Sequence, residues 1–168
     1  MESSEILNTL NHIWQREFNG LVKLEFLSWC PWDRRNSLKD INKPGVYVLG
    51  KFNSENSVSA DLLDEYVIYF GKTNLGKTTS LKGRLNAFDG AAFGNGAPHA
   101  GGYNYKEAYG TDKRGLQVAI CPVYWTREKD LSSDLAHFAI SSVITRLEVC
   151  LRGLYVYSWG RLPRCNKE

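Results

Sequence analysis

The sequence predicts an α+β fold with a small, three-stranded antiparallel sheet flanked by helices. Three short apolar runs, rich in β-branched and aromatic residues and bounded by glycine or polar residues, indicate the strands. Longer segments with apolar residues at helical spacing indicate helices. Strands and helices do not alternate regularly along the chain, which favours α+β over a parallel sheet. The predicted strands of the core are 45–50, 67–70 and 116–125.

The N-terminal part of the chain is predicted to be an extension of the core domain. Residues 4–18 carry apolar side chains at helical spacing, and residues 21–29 alternate like a half-buried strand. Residues 30–44 contain two prolines and several charges, as a connecting loop does. A chain of 168 residues has the length of one domain. We therefore expect 1–44 to pack on a domain that spans 45–168.

The remaining elements follow in order. Residues 79–88 are predicted to form a helix, and the glycine-rich residues 89–102 a long mobile loop. In the third strand of the core, Pro122 lacks the N–H that a central strand needs, which suggests an edge strand or a bulge. The apolar segment 131–157 is predicted to form one long helix, or two joined near Ser141-Ser142 or near Gly153.

Composition excludes several classes of protein. A net charge of +3 is too small for a polycation that coats nucleic acid by charge alone. The four cysteines form no C-x-x-C pair, so neither a zinc ribbon nor a redox motif is expected. No secretory signal opens the chain, and we expect a cytoplasmic protein with reduced cysteines. Arg146, Glu148 and Arg152 interrupt the most apolar stretch, which argues against a membrane span.

One segment fits the phosphate-binding pattern G-x-x-x-x-G-K-[ST]. Gly71–Thr78 follows a predicted strand and precedes a predicted helix, which is the context of a P-loop. A P-loop enzyme also needs an acidic residue at the end of another strand to hold Mg²⁺. The strand 116–125 ends without one. A P-loop nucleotide-binding protein therefore remains as an alternative, and the lysines of this segment can instead contact nucleic acid phosphates.

Two glycine–tyrosine motifs lie on the first two core strands, at Gly45-Val46-Tyr47 and Tyr69-Phe70-Gly71. They are followed by Arg84 in a predicted helix, Glu148 in the long helix and Asn166 near the end of the chain. This order of residue types resembles the GIY-YIG nuclease family, with valine and phenylalanine in place of the two isoleucines. The resemblance extends from the first motif to the last of these residues.

The resemblance implies a role for each residue in hydrolysing a phosphodiester bond. Tyr47 takes the proton of the attacking water, and Tyr69 orients the water or the phosphate. Arg84 stabilises the charge that develops on the phosphate, since its planar fork fits phosphate oxygens. Glu148 binds Mg²⁺, for which Mn²⁺ can substitute, and Asn166 completes the catalytic set. One carboxylate suits Mg²⁺ because this ion retains most of its waters.

Lys72 follows the second motif and is expected to assist the tyrosines. A free phenol has a pKa near 10, so it is a weak base at neutral pH. A nearby ammonium group or a metal-bound water would lower this pKa by favouring the phenolate.

Basic side chains cluster after the second motif and again at the end of the chain. Such local clusters in a nearly neutral chain are typical of phosphate binding. We expect Lys77, Lys82, Arg161 and Arg164 to contact DNA. His99, in the glycine-rich loop, is expected at the surface, or in contact with DNA or the attacking water.

The sequence thus predicts a Mg²⁺-dependent DNA endonuclease, and size and loop insertions favour a restriction-type enzyme. It leaves open whether the protein is a monomer or a homodimer. A catalytically idle DNA-binding module of the same fold is a second alternative to the endonuclease.

Overall fold

The computed structural model describes residues 3–17, 22–52, 61–74, 80–94, 96–125 and 133–167. Its elements, in chain order, are α1 (Ser3–Glu17), β1 (Val22–Leu24), β2 (Cys30–Pro31), a 3₁₀ helix (Trp32–Ser37), β3 (Gly45–Lys51), β4 (Val67–Lys72), α2 (Leu81–Phe93), α3 (Ala100–Tyr109), β5 (Leu116–Trp125) and α4 (Ser133–Trp159). The chain is α+β, as predicted.

The sheet is antiparallel but larger than the predicted three strands. The three core strands lie in the order β5-β3-β4, and β1 and β2 add to the outer side of β5. The prediction of three strands was therefore wrong. An open strand edge leaves N–H and C=O groups unpaired, and β1 and β2 cover that edge of β5.

Pro122 lies inside the sheet, so the prediction that it marks an edge strand was also wrong. Val123 donates its N–H to Pro44 on the β3 side of β5. Neighbouring residues of a strand direct their N–H groups to opposite sides. Pro122 consequently lacks its N–H on the side of β1 and β2. On that side, Pro122 lies between the residues of β5 that pair with β1 and those that pair with β2.

Side chains of the sheet alternate between two cores. On one face, Val46 and Val48 of β3 pack with Leu147 of α4 and with Trp14 of α1. On the other face, residues that include Tyr47 pack with α2, α3 and the 3₁₀ helix. The molecule thus has three layers, with α1 and α4 on one side of the sheet and α2 and α3 on the other.

The predicted mobile loop at 89–102 is largely helical. Helix α2 continues to Phe93, and α3 begins at Ala100. A Cβ built on Gly102 would lie 2.6 Å from the Cβ of Ala91, so the glycine allows α3 to pack closely on α2. Glycine here allows close contact between helices, whereas the glycine content of the sequence predicted a mobile loop.

Helix α4 is one continuous helix of 27 residues. It contacts β3, β4 and β5 and carries Glu148 towards the edge of β4. Among the described residues, no helix is long and apolar enough to cross a membrane.

Candidate active site

The two tyrosines of the glycine–tyrosine motifs lie side by side on the same face of the sheet. β3 and β4 pair so that Tyr47 is opposite Gly71 and Leu49 is opposite Tyr69. The centroids of the two tyrosine rings are 5.8 Å apart. Tyr47 is fully buried, whereas Tyr69 is partly exposed. Of the two tyrosines, Tyr69 is therefore the one with solvent-accessible surface.

Two glycines make room for these rings. A Cβ built on Gly71 would lie 2.5 Å from Oη of Tyr47 and 2.6 Å from Cε1 of Tyr69. A Cβ built on Gly101 would lie 2.4 Å from Cε2 of Tyr69. Real Cβ contacts do not approach so closely, so any side chain at either position would displace a phenol. This gives a physical reason for the glycine of the second motif.

His99 is hydrogen-bonded to the buried tyrosine. It is the N-cap of α3, where its Nδ1 accepts the N–H of Gly102 at 3.2 Å. Its Nε2 lies 2.7 Å from Oη of Tyr47. Burial, assisted by the charge of Arg84, lowers the pKa of His99 to about 4. The ring is thus neutral at pH 7, and because Nδ1 is an acceptor, Nε2 carries the hydrogen and donates it to Tyr47.

This position corrects the expectation for His99. The side chain is 2% exposed, so it offers no surface to a DNA strand. Its ring also contacts Tyr69, with centroids 5.8 Å apart. His99 orients the phenols from inside the protein.

The charges around the phenols do not make them strong bases on their own. Burial, followed by the neighbouring phenol of Tyr69, raises the pKa of Tyr47 well above its usual value, and Arg84 opposes the shift. Burial also raises the pKa of Tyr69, while Arg84 and a hydrogen bond from Tyr47 lower it. His99 therefore donates to Tyr47, and the positive charge of Arg84 favours the ionised form of both phenols against the effect of burial.

Lys72 does not have the predicted contact with the tyrosines. Its Nζ donates to Oγ1 of Thr145 on α4 at 3.0 Å. Phe70, two residues earlier on the same strand, faces α4 rather than the phenols. Strand side chains alternate between the two faces, so residues two positions apart share a face. Lys72 therefore lies on the α4 side of β4, and the expectation that it lowers the tyrosine pKa is corrected.

Glu148 lies in a nearly buried position beside Arg152. Its exposed fraction is 8%, and its Oε1 accepts from Nη1 of Arg152 at 3.3 Å. The charges of both residues influence the pKa of Tyr69, so the carboxylate and the exposed phenol belong to one site. The site lies at β4, at the outer edge of the sheet.

Two arginines of this site have buried donors without partners. Nε of Arg84 and Nε of Arg152 are buried and have no hydrogen-bond partner among the described residues. A buried donor without an acceptor costs about 1–3 kcal/mol, and more if it is charged. The positive charges of both arginines act on the nearby phenol of Tyr69.

The side chain of Asn166 is hydrogen-bonded to the backbone of β4. Its Oδ1 accepts the N–H of Phe70 at 2.8 Å, and its Nδ2 donates to the carbonyl of Phe70 at 2.9 Å. The preceding Cys165 donates its N–H to Ile68. The tail thus pairs with the outer edge of β4 next to Tyr69. This geometry gives Asn166 a positioning role, and a direct catalytic role stays a prediction.

The predicted DNA contacts are spread over the surface. Lys82 is exposed in the first turn of α2, and Arg161 and Arg164 are exposed after α4. Arg164 lies over the ring of Tyr109, 4.9 Å from its centroid. Lys77 lies outside the described residues. The DNA-binding roles stay predictions.

Only the beginning of the P-loop pattern lies within the described residues. The strand before it, β4, pairs with β3 in an antiparallel sheet. The N-terminus of α2 is capped by Ser80, whose Oγ accepts the N–H of Gly83 at 3.2 Å. That helix end, which would bind phosphate in a P-loop, already has an acceptor within the chain.

The donor set fits a magnesium ion bound through one protein carboxylate. Among the described residues there is no group of three histidine, cysteine or acidic side chains that could enclose a metal. Mg²⁺ is commonly held by one or two carboxylates together with water and substrate phosphate. A carboxylate can accept several bonds, and one contact with Arg152 leaves capacity on Glu148. Glu148 is therefore the residue that would hold the ion.

Two features of the site were missed by sequence reasoning. No local pattern pairs His99 with Tyr47, because 52 positions separate them. Arg152 was not among the predicted site residues. Its unpartnered Nε indicates a second function, and the i,i+4 spacing on one helix face was the available signal.

Comparison with known proteins adds no relative. No protein-family model matches the chain, and neither the curated proteins nor the solved structures contain a significant match. The function is therefore argued from the residues and their geometry.

Proposed function

We propose that this protein is a Mg²⁺-dependent endonuclease that hydrolyses phosphodiester bonds in DNA, with a GIY-YIG-type active site. The observation that carries the proposal is the pair of guanidinium groups of Arg84 and Arg152, whose positive charges both act on Tyr69 beside the carboxylate of Glu148. A phosphate suits two such cations, because a guanidinium fork matches phosphate oxygens.

The phenol pair supports hydrolysis in addition to binding. Tyr69 is the partly exposed member of the tyrosine pair, and Tyr47 beside it accepts a hydrogen bond from His99. A hydrogen-bond donor or a positive charge near the oxygen of Tyr69 favours its phenolate form and opposes the rise in pKa that burial causes. A water beside Tyr69 can transfer its proton to that oxygen as it attacks the phosphate. This assigns the contact with water to Tyr69, whereas the sequence assigned it to Tyr47.

Arg84 acts on the same step from the other side of the phenols. Its charge lowers the pKa of both tyrosines, against the effect of burial. Its guanidinium group can stabilise the negative charge that develops on the phosphate. One residue thus stabilises the base and the transition state.

Glu148 would hold the magnesium ion. When bound, the ion supplies positive charge to the phosphate and lowers the pKa of the water that it carries. Arg152 orients the carboxylate through its hydrogen bond. Because the carboxylate is nearly buried, removing its charge should disturb the site more than removing an exposed glutamate would.

The choice of DNA as substrate rests on the arrangement of charge and on the residue pattern. Basic side chains, including Lys72, Lys82 and Arg152, lie on the elements around the site. The order of the two motifs, the arginine, the glutamate and the asparagine resembles the GIY-YIG nucleases. A restriction-type enzyme that cuts both strands of a palindrome would act as a C₂ homodimer, and a monomer would nick the strands in separate events.

A cleavage assay tests the proposal. The wild type and Glu148→Gln are incubated with supercoiled plasmid and with gapped or bulged duplexes, in Mg²⁺, in Mn²⁺ and in EDTA. Glu17→Gln is the matched control, because Glu17 also pairs with an arginine of α4, at 2.9 Å, but on the surface away from the site. We expect metal-dependent cutting by the wild type and by Glu17→Gln, and a loss of about 10³-fold or more for Glu148→Gln.

The alternatives predict different results. DNA binding without cleavage in any divalent metal would indicate an idle DNA-binding module. Tight binding of Mg²⁺·ATP, lost in Lys77→Ala and accompanied by no cleavage, would indicate a P-loop nucleotide-binding protein. Equal cleavage by Glu148→Gln and the wild type would remove Glu148 as the metal ligand.

A further inference from the structure

A pocket lies next to the candidate active site on the α4 side of the sheet. Its volume is about 170 Å³, where a single water needs roughly 10–15 Å³ on the same scale. It is enclosed by the loop that leads into β3, by the residues that follow β4, and by the N-terminal half of α4. The pocket therefore has room for a group much larger than a water molecule.

Helix α4 connects the pocket directly to the active site. Ile144 forms part of the pocket wall, and Glu148 follows it four residues later on the same face of the helix. That spacing is a rise of about 6 Å. Lys72 stands between the two places, since it contacts Thr145 and directly precedes Thr73 of the pocket wall. A phosphate at Glu148 and a group in the pocket can thus belong to one nucleotide, with Lys72 beside the phosphate.

The walls of the pocket have the chemistry of a nucleobase site. Pro44, Ile140 and Ile144 provide apolar surface for the faces of a flat ring. The amides of Asn42 and Asn74 lie at the rim, are exposed, and have no hydrogen-bond partner among the described residues. An asparagine amide offers one acceptor and two donors, which suits the polar edge of a base.

The charge of the pocket also fits this ligand. None of the described residues that line it is acidic, so a nucleotide meets no like charge there. Small-molecule sites are usually apolar clefts with a few convergent polar groups, and this pocket has both features. An acidic peptide would need cationic side chains within the pocket wall, and among the described residues that line it only His137 is titratable.

We propose that this pocket binds the base of a nucleotide adjacent to the phosphate that is cut, after that base has left the helical stack. The substrate of the enzyme is then DNA with an unpaired nucleotide at the cleavage position, such as a bulge, gap or flap, because such a base enters a pocket at little cost. The inference deepens the proposed function and rests on it for the identity of the strand, while base binding itself requires no cleavage.

Binding in EDTA tests the pocket separately from catalysis. The probe is a duplex with one unpaired 2-aminopurine nucleotide, whose fluorescence increases when the base is unstacked. A fully paired duplex of the same sequence is the reference DNA. Ser141→Trp fills the pocket from α4, and Ser142→Trp is the matched control, because the next residue on the helix is exposed and does not line the pocket.

We expect the wild type and Ser142→Trp to bind the unpaired probe about tenfold more tightly than the paired duplex, equivalent to about 1.4 kcal/mol. Ser141→Trp should bind both DNAs equally. A second variant, Asn42→Ala with Asn74→Ala, changes only exposed side chains and should lose most of the preference while its thermal unfolding stays that of the wild type. Circular dichroism verifies that each variant is folded.

Specific results would overturn the proposal. If Ser141→Trp or the double asparagine variant, when folded, keeps the full preference for the unpaired probe, the pocket does not bind the base. If free 2-aminopurine nucleoside monophosphate binds as tightly as the unpaired DNA, the site belongs to a free nucleotide. If the wild type shows the preference but cuts no DNA in Mg²⁺, the endonuclease function fails and the base pocket stands.

Discussion

At the scale of single residues, the site depends on which phenol is exposed. Tyr47 is fully buried and receives a hydrogen bond from His99, whereas Tyr69 is partly exposed and lies within reach of the charges of Arg84 and Glu148. Burial raises the pKa of both phenols, and each phenol influences the pKa of the other. The exposed member is the one that can exchange a proton with water.

We expect Tyr69→Phe to lose at least as much activity as Tyr47→Phe. Removing the exposed hydroxyl removes the proton acceptor, and general base catalysis is typically worth roughly 10²–10⁴-fold in rate. Tyr47→Phe removes the hydroxyl that accepts from His99 but leaves the hydroxyl of Tyr69. Single-turnover cleavage of the two variants measures the difference. A Tyr69→Phe enzyme that cuts at the wild-type rate would exclude Tyr69 as the acceptor.

His99 should make the folded protein sensitive to acid. Its pKa is about 4 in the folded protein and near 6.5 when unfolded. The unfolded chain therefore binds more protons between these values, so the stabilising contribution is complete above pH 6.5 and is lost as the pH falls towards 4. The shift corresponds to roughly 3 kcal/mol.

Urea unfolding from pH 7 to pH 4 measures this contribution. The free energy of unfolding of the wild type should fall over that range, and His99→Gln, which cannot titrate, should show a shallower decrease. His12→Gln is the control, since His12 is exposed on α1. Parallel pH profiles for His99→Gln and the wild type would show that the ring is not held neutral by burial.

At the scale of elements, the C-terminal tail closes the free edge of β4. Asn166 binds both backbone groups of Phe70, which is adjacent to Tyr69. The tail thereby occupies part of the outer edge of β4, which hinders pairing of this strand with another chain. The position of Tyr69 relative to Arg84 depends on this edge being held.

Asn166→Ala should destabilise the protein and slow cleavage. The substitution leaves a buried N–H and a buried carbonyl of Phe70 without partners, which we expect to cost about 2–3 kcal/mol. Asn86→Ala, at an exposed position of α2, is the control. Chemical denaturation gives the stability, and single-turnover rates give the effect on positioning. Unchanged stability of Asn166→Ala would mean that water replaces the amide at no cost.

At the scale of the whole molecule, the N-terminal extension is part of the core. Trp14 of α1 packs with α4, and Trp32 of the 3₁₀ helix packs with α2 on the opposite face of the sheet. β1 and β2 cover the edge of β5. The extension therefore contributes to both cores and to the sheet, and we expect it to unfold together with the rest of the protein.

Trp14→Ala should lower the free energy of unfolding of the whole protein. Trp14 is 3% exposed, and replacing a buried tryptophan by alanine typically costs about 3–5 kcal/mol. Its neighbour Ile13 is 45% exposed, so Ile13→Ala is a matched control and should cost less than about 1 kcal/mol. Two separate unfolding transitions in the wild type, only one sensitive to Trp14→Ala, would show an independent N-terminal unit.

The sequence by itself determined the fold class, the core strands, the long helix and the identity of the candidate site residues. Apolar runs and helical spacing are local patterns, so β3, β4, β5 and α4 could be predicted from neighbouring residues alone. The two glycine–tyrosine motifs and the three residues after them could likewise be recognised from their order along the chain.

Only the tertiary structure decided how those residues are used. Tyr47 meets His99 across 52 positions of sequence, and Phe70 meets Asn166 across 96. No local pattern encodes such contacts, because burial and hydrogen bonding between distant segments depend on how the layers pack. The same holds for β1 and β2, which pair with β5 although they lie near the other end of the chain. Local sequence patterns therefore identify the candidate residues. Long-range packing determines which phenol is exposed, which histidine is neutral and which arginine donors lack a partner.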